Sequence, residues 1–110
     1  MPELRNITFF NESALATTTT TRAWDVDLMS SAVFALSVTS CSGGADTLDV
    51  KIQDSMDGTV WFDVAVFTQA TAATTERKTL TNFGQFLRAV ATLGAGTTAA
   101  FTLKGSLHGT

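Results

Sequence analysis

Four sets of side chains in this 110-residue chain could carry chemistry. Asp25 and Asp27 lie two residues apart, so on a strand they project from one face. A carboxylate pair can serve as general acid and base on a glycosidic bond, provided a cleft drives their pKa values apart. Nothing in the flanking sequence marks a cleft, and a solvated strand face accounts for both. Cys41, the single cysteine, would need the single histidine, His108, as its base, and the spacing suggests no orienting acid. A reduced, inert thiol at a strand end is the plainer reading. Asp54 and Asp57 could offer oxygens to calcium, but the spacing is not that of an EF-hand, and Met56 between them supplies only its carbonyl. Gly94-Ala95-Gly96-Thr97 has the glycines of a phosphate-cradling loop without a following helix, and reads as a hairpin turn. The sequence therefore assigns no catalytic, cofactor-binding or metal-binding residue.

Composition narrows the field further. Seven Lys and Arg against ten Asp and Glu leave a net charge of -3, which argues against a polyanion-binding surface. Arg77-Lys78 is the only adjacent basic pair and is flanked by Glu76, too little to hold a phosphate backbone, so no nucleic-acid partner is expected. No 18-residue apolar run is present, so no membrane span is expected either. Residues 1–13 carry Glu3 and Glu12 and no signal-peptide apolar stretch, so secretion by that route is not expected. The sequons Asn6-Ile7-Thr8 and Asn11-Glu12-Ser13 mean nothing in that setting. One cysteine makes no internal disulfide. Charged residues are 15% of the chain, below the roughly 25% of ordinary domains. Threonine and alanine supply 20 and 15 residues instead. A surface so poor in charge gives little solubility alone and suits one covered by neighbouring subunits.

The elements that would position these residues read as β almost throughout. Leu48, Val50 and Ile52 alternate with Asp49, Lys51 and Gln53, the period of a strand with one wet face. Trp24, Val26 and Leu28 alternate in the same way, as do Phe34, Leu36 and Val38, and Phe101, Leu103 and Leu107. Val60, Phe62, Val64 and Val66 are expected to line one face of a longer strand, with Trp61 and Phe67 on the other. The stretch from Gln85 to Leu93 is a strand of ambiguous phase. Turns fall at Ser42–Asp46, Met56–Thr59, Asn82–Gly84 and Gly94–Gly96, and Pro2 lies outside every strand. Thr17–Thr21 suits a linker or a polar edge strand, and only Ser13–Ala16 would tolerate a turn of helix. The fold expected is a single-domain antiparallel β-sandwich of jelly-roll or Greek-key type. Residues 1–22 form an amino-terminal arm or edge segment, and 23–110 the sandwich. In that arm Ile7, Phe9 and Phe10 are the candidate interface residues. Adjacent phenylalanines on an extended segment point to opposite sides, so one is expected to face out, either under a loop of its own chain or onto a neighbour.

The run Leu48–Val64, with its Ser55-Met56-Asp57-Gly58-Thr59-Val60-Trp61 hairpin, resembles that of small tailed-phage virion proteins. Gly84–Val90 and Phe101-Thr102-Leu103 fit the same pattern, and the likeness covers roughly residues 30–107. The resemblance implies a β-sandwich that decorates or cements a capsid, often as a trimer, without catalysis. Its partners would be the major capsid protein or other virion proteins, and further copies of itself. Tail, neck or baseplate components belong to the same class. The hairpin is also similar to one in discoidin-type carbohydrate- and lipid-binding sandwiches, although this chain is shorter and lacks their paired cysteines. A carbohydrate-binding module for host attachment would need an exposed aromatic platform, for which Trp24 and Trp61 are the tryptophan candidates.

Overall fold

The computed structural model describes residues 4–109; Pro2 and Glu3 fall outside them. Every regular element among the described residues is a strand: β1 (Leu4–Leu15), β2 (Thr19–Thr20), β3 (Trp24–Asp25), β4 (Met29–Ser42), β5 (Leu48–Ser55), β6 (Phe62–Val66), β7 (Thr74–Thr81), β8 (Phe86–Leu93) and β9 (Thr98–Gly109). One sheet has the order β1-β9-β4-β7, the other β2-β8-β5-β6, with β3 also paired to β8. Taking β2 and β3 as one interrupted strand leaves four strand positions in each sheet. All pairs are antiparallel, and the order is that of a jelly roll. The threonine run is thus partly edge strand, since Thr19 and Thr20 pair with Ala91 and Val90. Ser13 to Leu15 complete β1 rather than starting a helix.

Alternation places the core as the sequence requires. Phe34, Leu36 and Val38 of β4, Leu48, Val50 and Ile52 of β5, and Phe101, Leu103 and Leu107 of β9 are all buried between the sheets. Each such side chain stabilises the fold by roughly 1.5–3 kcal/mol. In β8 the phase is settled by the small residues: Leu87, Ala89 and Ala91 turn inward, and Phe86 and Val90 lie half-exposed. Alanine there lets the two sheets approach closely.

Three expectations are corrected by the backbone. Phe9 and Phe10 do not diverge: both are buried, because a β-bulge inserts Phe9 between Thr8, opposite Lys104, and Phe10, opposite Leu103. A bulge adds one residue to one strand and re-aims its side chains. Phe9 then stands edge-on to Trp24 (centroids 4.8 Å apart) and Phe34 (5.8 Å), while Phe10 meets Phe101 at 5.2 Å. The supposed long strand at 60–67 is the five-residue β6, again with a register shift, between Ile52 and Gln53 of its partner. Its buried residues are Ala65 and Phe67, whereas Val60, Phe62 and Val66 face water. Leu28 leaves the strand pattern altogether; it sits in a turn at φ 72° and is exposed.

Gly105 makes room for the paired phenylalanines. It occupies an inward position on β9, opposite Ile7 on β1 and Phe34 on β4. A Cβ there would lie 3.0 Å from both the Phe9 and the Phe34 ring. At the other end the β4–β5 and β8–β9 connections cross. Ala45 N–H donates to the Ala95 carbonyl (2.9 Å), Gly94 N–H to the Thr47 carbonyl (3.0 Å), and Asp46 N–H to Thr97 Oγ1 (2.9 Å). A Cβ on Gly44 would stand 2.2 Å from the Ala95 oxygen.

A glycine in a strand ordinarily gains stability on replacement by alanine, by about 0.5–1 kcal/mol. Gly105→Ala is expected to do the opposite. Overpacking against two rings with nowhere to move costs about 1–3 kcal/mol, read as a lower urea midpoint at unchanged slope.

Candidate functional site

The structure scatters the residues that could have done chemistry together. Asp25 and Asp27 are both exposed, and Asp25 Oδ1 is taken by the Asp27 N–H at 3.0 Å, a local turn rather than a cleft. Cys41 pairs with Ala99 and His108 with Ser31. Ten strand residues therefore part thiol from imidazole, roughly 33 Å at the usual rise. Cys41 is buried, and its thiol pKa is pushed up by that burial and by the Asp46 charge, the reverse of an activated nucleophile. Arg77 is exposed, and Lys78 pairs with Glu76 at 3.3 Å. Glu76 also accepts the Thr68 N–H at 2.9 Å.

The Asp54–Asp57 loop is a structural knot. Asp54 Oδ2 accepts the Gly84 N–H at 2.8 Å and so ties this turn to the β7–β8 connection. Ser55 Oγ accepts the N–H groups of Asp57 and Gly58 and donates to Asp57 Oδ1. That same Oδ1 accepts from Thr59 (2.8 Å) and Val60 (3.0 Å). The carboxylate is occupied by the backbone it organises, and among the described residues no three His, Cys, Asp or Glu side chains gather as metal ligands.

Neither tryptophan offers a bare platform. Trp24 stands against Phe9, with the Arg22 guanidinium 5.2 Å from its centroid. The Arg88 guanidinium lies 4.1 Å over Trp61 and is fixed by a chain of bonds across the second sheet. Arg88 Nε donates to Gln53 Oε1 (2.8 Å), Gln53 Nε2 to Asp63 Oδ1 (2.8 Å), and Lys51 Nζ to Asp63 Oδ2 (3.3 Å). The Gln53 bond, with help from Lys51, holds the Asp63 carboxyl below its ordinary range against an opposing desolvation. Periodicity had put Trp61 on a strand face; the register shift in β6 and the Arg88 cap were not visible there.

Ile7, Phe9 and Phe10, the candidate interface residues, are buried in their own chain's core, placed there by the bulge. The open surface of the first sheet belongs to their neighbours. A shallow depression of about 400 Å³ runs between Asn6 and Thr8 on β1, Val33 and Ala35 on β4, and Lys104 and Ser106 on β9. A second, of about 370 Å³, continues past Ser37, Thr39, Ala100 and Thr102. Small side chains make these troughs, and Lys104 and Glu12 are their only ionisable lining groups. Neither gathers an acid and a base around a reacting position. Such a surface is shallow and poor in charge.

Strand order and layers make this a jelly-roll β-sandwich, and solved structures of that shape are similar to it. No family model and no curated protein matches the sequence. The SPBc2 prophage-derived protein YomS superposes with a TM-score of 0.63 at 15% identity, over 98% of this chain and 95% of that one. The PBSX exported protein XepA gives 0.70 at 16%, over 94% of this chain and 36% of that one. The VP2 subviral particle of infectious bursal disease virus gives 0.57 at 19%, over 98% and 33%. The chain thus matches nearly all of the first and about a third of the other two. At these identities the likeness is one of fold.

The Asp57 carboxyl sits below its ordinary 3.8, chiefly through the N–H groups of Val60 and Thr59 and the Ser55 hydroxyl. A depressed folded-state value adds stability that is present above the unfolded value and lost as pH falls through the folded one. Thermal midpoints are therefore expected to decline below about pH 4. Asp57→Asn, lacking that titration, should show a shallower acid limb on the same pH series.

Proposed function

We propose that this chain is a non-enzymatic structural component of a virion, a capsid decoration or cement protein that stabilises a phage head. The observation that carries the reading is the broad outer face of the first sheet, where Thr8, Val33, Ala35, Ser37, Thr102 and Ser106 lie in shallow troughs with few charges. Desolvating such a face costs little, because few ions must leave water. Shape then has to supply the specificity, and small side chains allow close approach. The fold is shared with a prophage-derived protein and with the VP2 of a subviral particle, and this supports a virion role for a sandwich without a reaction centre.

The partners proposed are the major capsid protein and further copies of this chain, in a trimer. Each contact is modest. On a lattice, however, a second engagement is effectively intramolecular, and avidity exceeds either single affinity by orders of magnitude. The same surface would serve a tail, neck or baseplate position, which is a finer distinction within one class. The product would be made in the host cytoplasm and found in the particle.

The decisive measurement uses capsids assembled from the major capsid protein of the same genome, purified without this chain. Saturable binding at micromolar concentration or below, with a rise in the temperature at which the shell opens, is the expected result. Light scattering should return three times the 11.6 kDa chain mass. Absence of binding at micromolar concentration overturns the cement reading, and binding to purified tails instead reassigns it within the virion.

A further inference from the structure

The exposed large apolar side chains are not spread evenly over the molecule. Leu4, Leu28, Met56, Val60, Phe62 and Val66 are each more than half exposed. Pairing registers locate them. Leu4 begins β1 opposite His108, and Leu28 immediately precedes Met29, which faces Gly109. Met56 follows the last residue of β5, and Phe62 opens β6 opposite Asp54. The three-residue step from Asp25 to Met29 joins these ends of the two sheets. So does the bond from Arg5 Nη1 to the Asp25 carbonyl. Five of the six residues therefore share one end of the sandwich; only Val66, further along β6, does not. The opposite end, made by residues 16–18, 43–47, 67–73 and 94–97, carries no exposed large apolar side chain.

Leu28 adds a second observation. It is 72% exposed and holds φ 72°, a conformation that side chains with a Cβ avoid. The turn is closed by the Met29 N–H donating to the Val26 carbonyl (3.1 Å), yet among the described residues Leu28 is not one of the side chains packed on the core. Strained residues that the rest of the fold holds in place collect at functional positions.

We propose that this apolar end is the docking end, and that its occupant is a protein surface with an apolar socket and a basic rim. Two features choose that partner. The end measures about 27 by 19 Å, so it offers on the order of 500 Å². A stable pair of proteins buries about 800 Å² on each side, so this end is too small to hold a free dimer of itself. It suits a subunit lattice, where many weak seats act together. Charge makes the second choice. Asp25, Asp27 and Asp57 stand exposed among these loops; of the basic groups near them among the described residues, Arg5 is engaged by the Asp25 carbonyl and Arg88 by the Trp61 ring, and His108 lies opposite Leu4. An acidic rim repels anionic lipid and complements a basic one. The 46 Å long axis would then stand off the shell, leaving the charge-poor outer face of the first sheet to be covered by neighbouring copies of the chain. This inference rests on the virion reading.

The test adds Leu28→Ser, Met56→Ser and Phe62→Ser together to the full chain, with Val66→Ser as the exposed apolar control. Binding to the same purified capsids is read beside vesicles of phosphatidylcholine and phosphatidylglycerol. The triple variant should bind capsids roughly tenfold or more weakly, and V66S like the parent. Leu28→Gly should also weaken docking while holding or raising the thermal midpoint, which a residue kept for packing would not do. If the parent binds and the triple variant binds equally, the docking end is wrong and the virion reading stands. If the parent itself fails to bind capsids, the virion reading falls first. Vesicle binding lost in the triple variant would overturn the protein socket in favour of a membrane.

Discussion

Gly105 is the constraint on which the interior depends. It is the only inward position between Phe101 and Leu107 on β9 without a side chain, and the Phe9 and Phe34 rings occupy the space. The bulge that turns Phe9 inward makes sense only because that space exists, and the space would be a void without the bulge. Neither residue stabilises the fold alone. Together they let β1 deliver adjacent aromatic rings to one core, and through Trp24 they bind the interrupted β2/β3 edge of the second sheet to the first.

The same reasoning explains which parts of the fold could be seen in the sequence. Where a strand keeps strict period two, as over Phe34–Val38 of β4, Leu48–Ile52 of β5 and Phe101–Leu107 of β9, alternation alone located its inward residues. The Asp57-Gly58 turn was legible because both residues do what their types allow. Bulges have no compositional mark, and one extra residue reverses every face beyond it. That is why Phe9 and Phe10 looked divergent, and why alternation left open which face of the 60–67 stretch stays wet, the one that carries Val60, Phe62 and Val66. The candidate site was less visible still. A docking end is defined by what its neighbours leave uncovered, and burial is a property of the assembled sheets. The sequence displayed the titratable residues and their spacing, but it could not say which apolar residues stay wet.

The edges of the two sheets are managed differently. β7 carries Glu76 and Lys78 at positions opposite the inward Leu36 and Phe34, and charges in such positions discourage pairing with a further strand. β1 is bent by two register shifts, and β2 and β3 are two residues each, too short to template a partner. On the second sheet, Asp63 of β6 is committed to Gln53 and Lys51. A charge-poor protein at high local concentration needs such devices. They leave its faces and ends, rather than its edges, as the places where contact is safe.

The crossing of the β4–β5 and β8–β9 connections has an evolutionary corollary. Two of its three cross-links join main-chain atoms, so they depend on the path of the backbone rather than on side-chain chemistry. Gly44, pressed against the Ala95 oxygen, is the point where even a methyl group is forbidden. A Cβ on Gly94 would be as close to the Thr47 hydroxyl, and Gly43 and Gly96 hold positive φ, so that pole is specified by its glycines while the opposite end is free to vary what it displays.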